Sequence, residues 1–220
     1  MRMLRRVLQM VVFLVVLAVG ATAWQGYQMY EKVLKEEPLY EKVGEIRNRP
    51  DFVPLDQLPE DYREAVVAVE DHRFYRHFGL DLIALGRAAK NNLLAGSMKE
   101  GGSTITQQLA RNLYFTQEKS FSRKAAEAFL ALKLERAYTK DEILELYVNT
   151  IYFGDGYYGI RQASLGYYGK EPSELSFEEC TMLAGLPNAP SVYAPTKNPE
   201  LARQRQEIVV GQMERYGYLK

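Results

Sequence analysis

The chain has little cysteine and histidine: Cys180 is its one thiol, and two histidines stand among 220 residues. A single cysteine excludes a disulfide within the chain, and its apolar helical setting indicates a packing residue rather than a nucleophile. No His or Cys residues stand at metal-ligand spacing, so no zinc site is predicted. The glycine pair at 101–102 is not followed by Gly-Lys-Ser/Thr, which excludes a Walker A nucleotide loop.

An excess of charge is also absent, because 28 Lys and Arg residues balance 28 Asp and Glu residues. This balance gives no indication of nucleic-acid binding, and we expect no nucleic-acid partner. The sequence shows no internal repeat and no β-rich segment. It does contain 47% hydrophobic residues and 16 tyrosines, enough for one domain with a substantial core. Aromatic residues in such number suit cores, sugar-stacking clefts and membrane interfaces alike.

A long apolar run lies near the N-terminus. Three arginines within the first six residues precede an uncharged run from Val7 to Trp24, whose 18 residues reach the length of a spanning helix. Aromatic residues follow, as is typical of a membrane interface. We therefore predict a cytoplasmic tail at 1–6, a transmembrane anchor at 7–27 and export of the remainder. A signal peptide cleaved at Ala21-Thr22-Ala23 is the alternative.

Helical patterns dominate after a predicted connector at 28–58, within which Tyr40 to Arg47 could form a short strand or an extended arm. Pro59 and the acidic residues after it are typical of a helix start. Capping-box patterns begin at Thr139 and Ser176, and Asn198-Pro199 is expected to cap the last helix. We predict a mainly α domain over 59–220, with no second domain after it.

Two adjacent carboxylates, Glu70 and Asp71, end an apolar helix and precede an aromatic segment. Neighbouring helical residues point about 100° apart, so one can face a cleft while the other supports local structure. A carboxylate beside apolar walls can act as a general base near neutral pH, and we assign that role to Glu70. Asp71 and His77 are expected to brace the following turn. A solvated helix end is the alternative interpretation of the carboxylate pair.

A second motif, Gly101 to Gln108, places two glycines before a Ser-Thr pair that opens a helix. Such a segment suits polar or anionic ligands. Gln107 and Arg111 are predicted to share a face of this helix, because they are four residues apart. Together with Gln108 they could hydrogen-bond a sugar or a diphosphate.

Arg123, Lys124 and Glu127 open a later helix and can share one face. Two cations and a carboxylate near a helix N-terminus can hold a phosphate-bearing leaving group, although a solvated salt-bridge face is the alternative. Two separate glutamates, Glu70 and Glu127, permit glycosyl chemistry. In such a reaction a base activates the incoming hydroxyl, and a diphosphate leaves once its charge is neutralised.

Over residues 50–215 the chain resembles the peptidoglycan glycosyltransferases of family 51, which occur as monofunctional enzymes and as the N-terminal domain of class A penicillin-binding proteins. Five motif regions of that family are found in order. They are Glu70-Asp71 with Phe74, His77 and Gly79; Gly101 to Gln108; Arg123 to Glu127; Ile143 to Asn149; and Gly159-Ile160 with Ala163 and Tyr168-Gly169-Lys170. No Ser-x-x-Lys is present, so this chain alone is not expected to cross-link peptides.

The resemblance implies a lysozyme-like helical large lobe with a small membrane-proximal jaw lobe at about 95–120. It implies lipid II as substrate, joined into β-1,4-linked glycan with inversion and release of undecaprenyl diphosphate. By motif position Glu70 and Glu127 would be catalytic. The expected substrate-binding residues are Asp71, Phe74, His77, Ser103, Thr104, Gln107, Gln108, Arg111, Arg123 and Lys124. Arg111 stands where many members carry lysine, which changes the geometry of the cation.

The resemblance also implies partners and a location. We expect the lipid bilayer, the growing glycan strand and cell-wall synthesis or division proteins as partners. The catalytic domain would lie on the extracytoplasmic side of the cytoplasmic membrane, held by a single-pass anchor. No tightly bound cofactor is expected, although Mg²⁺ or Mn²⁺ could assist. The apolar residues expected to reach lipid headgroups are Leu93, Leu94, Met98, Leu113 and Phe115.

Two other functions are alternatives at this stage. A lytic transglycosylase or lysozyme-like hydrolase would use one glutamate as an acid on finished glycan. An inactive scaffold would bind lipid II or division proteins without chemistry. The hydrolase would need neither the cluster of Arg123, Lys124 and Glu127 nor a membrane anchor. The presence of both Glu70 and Glu127 argues against the inactive scaffold.

Overall fold

The computed structural model describes residues 2–96, 101–116 and 120–219. Helices form nearly all of the regular structure within these ranges, and the prediction of a mainly α chain with a long apolar N-terminal helix is confirmed. The first seven helices are α1 (Arg2–Glu36), α2 (Leu39–Arg47), α3 (Glu60–Glu70), α4 (Leu82–Ala95), α5 (Ile105–Tyr114), α6 (Phe121–Ala137) and α7 (Lys140–Val148). An antiparallel hairpin of β1 (Tyr152–Gly154) and β2 (Tyr157–Tyr158) comes next. Four helices complete the chain: α8 (Ile160–Tyr168), α9 (Phe177–Gly185), α10 (Pro190–Tyr193) and α11 (Pro199–Tyr216).

The core is built around α7. Its Leu144, Leu146 and Tyr147 are completely buried, and α2, α5 and α6 pack against it. Helices α3, α9 and α11 pack pairwise against one another and contribute a further part of the core. Because full burial of a leucine-sized side chain stabilises a fold by about 1.5–3 kcal/mol, α7 is held by its packing rather than by its intrinsic helix propensity.

The helix ends follow the predicted caps, with one exception. Thr139 and Ser176 each form both hydrogen bonds of a capping box, with Glu142 and Glu179 respectively. Asn198 precedes α11 but makes no capping hydrogen bond with its side chain. Its Nδ2 instead donates to the carbonyl of Val192 at 3.0 Å. The prediction that Asn198 caps α11 is therefore wrong in its mechanism, because the side-chain amide bonds to α10 instead.

The region between anchor and domain differs from the predicted connector. Helix α1 continues past residue 27 to Glu36, and the prediction of a strand or extended arm at 40–47 is wrong because α2 covers it. Leu39, Val43 and Ile46 stand at helical spacing and are all buried. Their burial on one face supplies the free energy that makes this short segment helical.

Asn149, which follows α7, fastens the segment before α3 to the core. Its Oδ1 accepts from Val53 N at 2.8 Å, and its Nδ2 donates to Val53 O at 2.8 Å. The same Nδ2 also lies 2.8 Å from Glu145 O. With Asn149 only 2% exposed, one side-chain amide satisfies both the backbone N–H and the carbonyl of buried Val53.

Helix α1 is long and apolar enough to cross a membrane over residues 3–36. Its C-terminal part packs directly on α6. A Cβ added at Gly26 would lie 2.5 Å from Ala125 Cβ and 2.8 Å from Ser122 O. Only glycine therefore permits this approach of the two helices, and the Tyr27 ring meets Phe129 edge-on beside it.

Helix α4 exposes an apolar surface. Asp81 caps it by accepting from Ile83 N and Ala84 N, and Gly96 ends it in the left-handed conformation. Leu93 and Leu94, two of the expected lipid contacts, are 83% and 76% exposed. Isolated exposed leucines are ordinary, but a helix presenting several of them indicates a surface that meets lipid or a partner.

The other expected lipid contacts lie elsewhere. Leu113 is a buried core residue, and Phe115 is partly buried against the core. Met98 lies outside the described residues. Helix α5, although within the predicted jaw at 95–120, packs on α6 and α7 through fully buried side chains, so that part of the segment belongs to the core.

Candidate active site

A polar cleft of about 520 Å³ lies where α3 ends. Its walls come from the end of α3, from α4 and α5, and from one face of α11. The charged or amide side chains that line it are Glu70, Asp71, Arg87, Asn91, Gln108, Arg111, Asn188, Arg205, Gln212 and Arg215. The helix carrying the predicted base therefore ends in a cavity large enough for part of a sugar substrate.

Glu70 is the last residue of α3, and its side chain is 8% exposed. Its Oε2 accepts a hydrogen bond from Gln108 Nε2 at 2.8 Å. Within the described residues its Oε1 has no hydrogen-bond donor. Burial raises the pKa of Glu70, while the Gln108 hydrogen bond and the charges of Arg205 and Arg111 act to lower it. The carboxylate thus has one oxygen fixed and the other able to accept a proton.

Tyr147 fixes the orientation of the Gln108 amide. Its hydroxyl donates to Gln108 Oε1 at 3.3 Å, so the amide nitrogen is the group that faces Glu70. Burial raises the pKa of Tyr147 well above its usual value, which keeps the hydroxyl protonated as a donor. The buried helix α7 therefore positions the candidate base through Gln108.

Asp71 supports the turn after Glu70. Its Oδ2 accepts from Ile105 N at 3.1 Å and pairs with His77 Nε2 at 2.8 Å. The two side chains of the Asp71–His77 pair are 5% and 4% exposed. The pair ties the turn to the first residue of α5, in agreement with the bracing role predicted from sequence.

Three further residues predicted to bind substrate have side chains that are buried or hydrogen-bonded within the protein. Phe74 is completely buried, with Lys140 Nζ 4.4 Å above its ring centroid. Thr104 Oγ1 donates to Gly79 O at 2.7 Å and accepts from Gln107 N. Gln107 returns the contact, since its Oε1 accepts from Thr104 N at 3.2 Å. The structure places these side chains as supports around the cleft.

Gln107 and Arg111 were predicted to bind a ligand together from one face of α5, but the structure places them in different cavities. Gln108 and Arg111 line the Glu70 cleft, whereas Gln107 lines a different cavity. Three-residue and four-residue spacing both place side chains on neighbouring sides of a helix. The capping box that holds Gln107 decides which pair faces the cleft.

Arg123, Lys124 and Glu127 form a second charged cluster at the start of α6. Glu127 is 1% exposed and pairs with Arg123 Nη1 through Oε1 and with Lys124 Nζ through Oε2, the latter at 2.9 Å. Lys124 Nζ also donates to Ser103 Oγ at 2.7 Å. All three side chains meet on one helix face, as the spacing predicts. The buried carboxylate holds two cations at the entrance of a helix, where an anion is electrostatically favoured.

This charged cluster borders a second cavity of about 820 Å³. Its lining includes Arg123 and Lys124 together with apolar residues of α4 and α6. Gly101 and Ser103 line both this cavity and the Glu70 cleft. The glycine-rich segment is therefore a wall shared by the cavity of the candidate base and the cavity beside the cationic cluster.

The sequence motifs missed the contribution of α4 and α11. Arg87 comes from α4, and Arg205, Gln212 and Arg215 occupy one face of α11 at helical spacing. The Tyr216 ring, at the end of α11, stacks on His72 with centroids 4.1 Å apart. A charged stripe on a helix is usually a solvated face, so the spacing alone could not have assigned these residues to a cleft.

Among the described residues Arg205 is the cation closest to Glu70, with its Nη2 3.7 Å from Glu70 Oε1. Its Nε donates to Gly185 O at 3.1 Å, and its guanidinium lies 5.9 Å from the Tyr193 ring centroid. The arginine is thus held by α9 and α10 while it faces the carboxylate.

No group of three or more His, Cys, Asp and Glu side chains that could hold a metal occurs in ranges 2–96, 101–116 and 120–219.

Comparison of the sequence with known proteins finds several relatives. A penicillin-binding protein 1F of Bacillus subtilis is 47% identical over 167 residues, covering 76% of this chain and 23% of the relative. A penicillin-binding protein 1A of Aquifex aeolicus is 45% identical over 197 residues, covering 90% and 27%. A candidate transglycosylase of Cupriavidus necator is 45% identical over 183 residues, covering 83% and 79%. The chain thus spans about a quarter of the two penicillin-binding proteins and most of the third relative.

The sequence model of the family described as Transglycosylase matches residues 36–214, which include both charged clusters and the wall between their cavities. With that match extending over most of the folded part, this chain belongs to the transglycosylase family.

Proposed function

We propose that the protein is a peptidoglycan glycosyltransferase that polymerises lipid II into β-1,4-linked glycan strands with inversion and releases undecaprenyl diphosphate. The observation that carries this proposal is the pairing of two cavities across one wall. Buried Glu70 lies in one, and Arg123 and Lys124 border the other, while Ser103 lines both. This transfer requires a base for the acceptor hydroxyl and cations for the leaving diphosphate, and the two cavities contain one of these each.

The acceptor would bind in the cleft that contains Glu70. Glu70 Oε1 would accept the proton of the 4-hydroxyl of the acceptor's GlcNAc, and that oxygen would attack the anomeric carbon of the donor's MurNAc. Its partner oxygen stays bound to Gln108, so the carboxylate has little freedom to rotate away. General-base assistance of this kind contributes about 10²–10⁴ in rate.

The donor diphosphate would bind at the cluster of Arg123, Lys124 and Glu127. As the bond between the anomeric carbon and the diphosphate oxygen breaks, negative charge grows on the leaving group. Lys124, whose side chain is 43% exposed, is the cation that a ligand can reach most directly. Glu127 would keep both cations in position, since it is buried beneath them. Neutralisation by charge-assisted hydrogen bonds replaces protonation of the leaving group.

The N-terminal helix would keep this chemistry at a membrane. We propose a single-pass protein of the cytoplasmic membrane, with the catalytic domain on the extracytoplasmic side. The length and hydropathy of α1, the arginines in its first turns and the exposed leucines of α4 support this arrangement. The growing glycan strand and cell-wall synthesis or division proteins are proposed partners.

Purified full-length protein in detergent, given labelled lipid II, tests the proposal. We expect polymer from the native protein and a loss of about 10²–10⁴ in rate from Glu70→Gln. Glu60→Gln is the matched control, because Glu60 is exposed at the other end of α3. Equal polymerisation by Glu70→Gln and native protein would contradict the role of Glu70.

Two additions separate the alternatives. Release of fragments from finished glycan, without polymer from lipid II, would indicate a hydrolase or lytic enzyme, and binding of lipid II without either product would indicate a scaffold. Parallel reactions with a chelator, then with added Mg²⁺ or Mn²⁺, test whether a divalent cation assists. We propose that no tightly bound cofactor is needed, so activity should return with the free ion alone.

A further inference from the structure

The α11 wall of the Glu70 cleft carries an exposed aliphatic side chain among polar ones. Ile208 lines the cleft and is 49% exposed. Pro187, in the turn that follows α9, lines it as well. The other aliphatic residues of the lining, Ala68 and Val69, pack against the core. The catalytic scheme above assigns no role to Ile208 or Pro187.

Two side-chain amides line the same part of the cleft. Gln212 is four residues after Ile208 on the same face of α11, and Asn188 follows Pro187 in the chain. An amide side chain offers both a hydrogen-bond donor and an acceptor. This wall therefore combines apolar contact with neutral hydrogen-bonding groups.

Arg205 holds the two halves of this wall together. Its Nε donates to Gly185 O at 3.1 Å, and Gly185 directly precedes the turn 186–188 that contains Pro187 and Asn188. A Cβ added at Gly185 would lie 3.0 Å from Arg205 Cγ, so a side chain there would crowd the arginine. Helix α11 and the turn 186–188 therefore keep a fixed relation beside Glu70.

The apolar pair is close to the position where the acceptor hydroxyl would bind. Arg205 Nη2 is 3.7 Å from Glu70 Oε1. Ile208 is three residues further along α11, a rise of about 4.5 Å, and Gln212 is seven residues further, a rise of about 10.5 Å. A group on the same sugar ring as the reacting hydroxyl is within that reach.

We propose that this wall recognises the 2-acetamido group of the acceptor sugar and so selects an N-acetylated acceptor. The methyl group contacts Ile208 and Pro187, and the amide bonds to Asn188 and Gln212. The inference rests on the proposed function for the identity of the acceptor and for Glu70 as its base.

The chemistry of the cleft selects this occupant and its orientation. An acetamido group is a methyl next to an amide, so it requires an apolar contact and a hydrogen-bonding partner side by side. Across the cleft, α4 and α5 contribute Arg87, Asn91, Gln108 and Arg111 to the lining, a set without an aliphatic side chain. The methyl group therefore finds its apolar partner on the α11 side.

An alanine of the peptide that lipid II carries offers the same combination of a methyl and an amide. The acetamido group is favoured because it is attached to the ring that carries the reacting hydroxyl, two ring positions away from it. Glu70 then fixes its distance from α11, whereas the peptide is attached to the neighbouring sugar. Substrate without the peptide separates the two sources.

Binding of lipid II analogues to the full-length protein in detergent, measured by thermophoresis, tests the proposal. Both probes lack the GlcNAc 4-hydroxyl, so neither can act as acceptor. One keeps the acetamido group on that sugar, and the other carries a formamido group, which removes the methyl and keeps the neutral amide. We expect the native protein to bind the acetamido probe about fourfold more tightly, the effect of one buried methyl group.

Ile208→Ala should abolish this preference, and Ile208→Leu should keep most of it. Leu201→Ala is the matched control, because Leu201 is also an exposed aliphatic residue of α11 but does not line the cleft. Replacement of both amides, Asn188→Leu with Gln212→Leu, should weaken both probes by about fivefold and leave their ratio unchanged. Far-UV circular dichroism of each variant establishes that the helices are intact.

Three results would overturn the inference. One is a native protein that binds the two probes equally or not at all. Another is a preference in Ile208→Ala equal to that of the native protein. The third is an effect of Ile208→Ala that disappears when both probes lack the peptide, which would assign Ile208 to the peptide. Failure of the native protein to polymerise lipid II would refute the proposed function, whereas these ratios report on the acetamido contact alone.

Discussion

Removal of the Arg205 charge should move the acid limb of the pH–rate profile to higher pH. In the proposed mechanism Glu70 must be ionised to accept a proton, so the rate of polymerisation is expected to fall as the pH drops through its pKa. Arg205 stabilises the ionised form and lowers that pKa against the effect of burial. In Arg205→Met the pKa of Glu70 therefore rises, and the variant loses activity at a pH where the native protein is still active.

The size of the effect follows from the separation of the two charges. At 3.7 Å the interaction amounts to about 1 kcal/mol in a water-like dielectric and about 4.5 kcal/mol at an effective dielectric constant of about 20. The side chains of Arg205 and Glu70 are 11% and 8% exposed, so screening by water is limited. Removal of the guanidinium withdraws an amount between these limits from the ionised carboxylate.

The assay is the initial rate of lipid II polymerisation across the acid range, at saturating substrate. Arg205→Lys should shift the limb less, because it keeps the charge but loses the Nε contact with Gly185 that fixes its position. Arg203→Met, on the exposed side of α11, should leave the limb in place. An acid limb in Arg205→Met that stays at the native position, or moves to lower pH, refutes the reasoning.

Three further outcomes are expected. Asn149→Ala should lower the free energy of unfolding by about 2–4 kcal/mol in chemical denaturation, because both backbone groups of Val53 lose their buried partner; a loss under 1 kcal/mol, within the range of ordinary surface substitutions, would contradict this. Gly26→Leu should separate α1 from α6 at a cost of about 1–3 kcal/mol, seen as a lower melting temperature in detergent, whereas Gly20→Leu, with open space around it, should not. Burial raises the pKa of Cys180 to about 12, so the protonated thiol should resist a thiol reagent at pH 8 until guanidinium unfolds the chain; rapid labelling of folded protein would disprove this.

Local patterns predicted the parts of this molecule that depend on near neighbours. The capping boxes at Thr139 and Ser176 form as expected, and the cluster of Arg123, Lys124 and Glu127 meets on one face because helical spacing alone places it there. The brace between Asp71 and His77 is also short-range, because the two residues are six positions apart in the sequence.

Long-range packing decided the rest. Arg205 reaches Glu70 only because α11 packs on α3 and α9, and no spacing in the sequence records that contact. Helix α2 was mistaken for an arm because its nine residues bury only Leu39, Val43 and Ile46, a short signal that tertiary packing reinforces. Gln107 and Gln108 are adjacent in sequence, and the capping box at Thr104 determined which of the two faces the cleft.

The wall formed by Gly101 and Ser103 has a thermodynamic consequence. Since both residues line both cavities, a ligand that displaces this segment in one cavity also reshapes the other. Ser103 is in addition hydrogen-bonded to Lys124, so occupation of the cationic cluster acts directly on it. Any such coupling is reciprocal: the factor by which a bound donor changes the affinity for acceptor equals the factor by which a bound acceptor changes the affinity for donor. Donor and acceptor would then change each other's affinity through the three-residue segment 101–103.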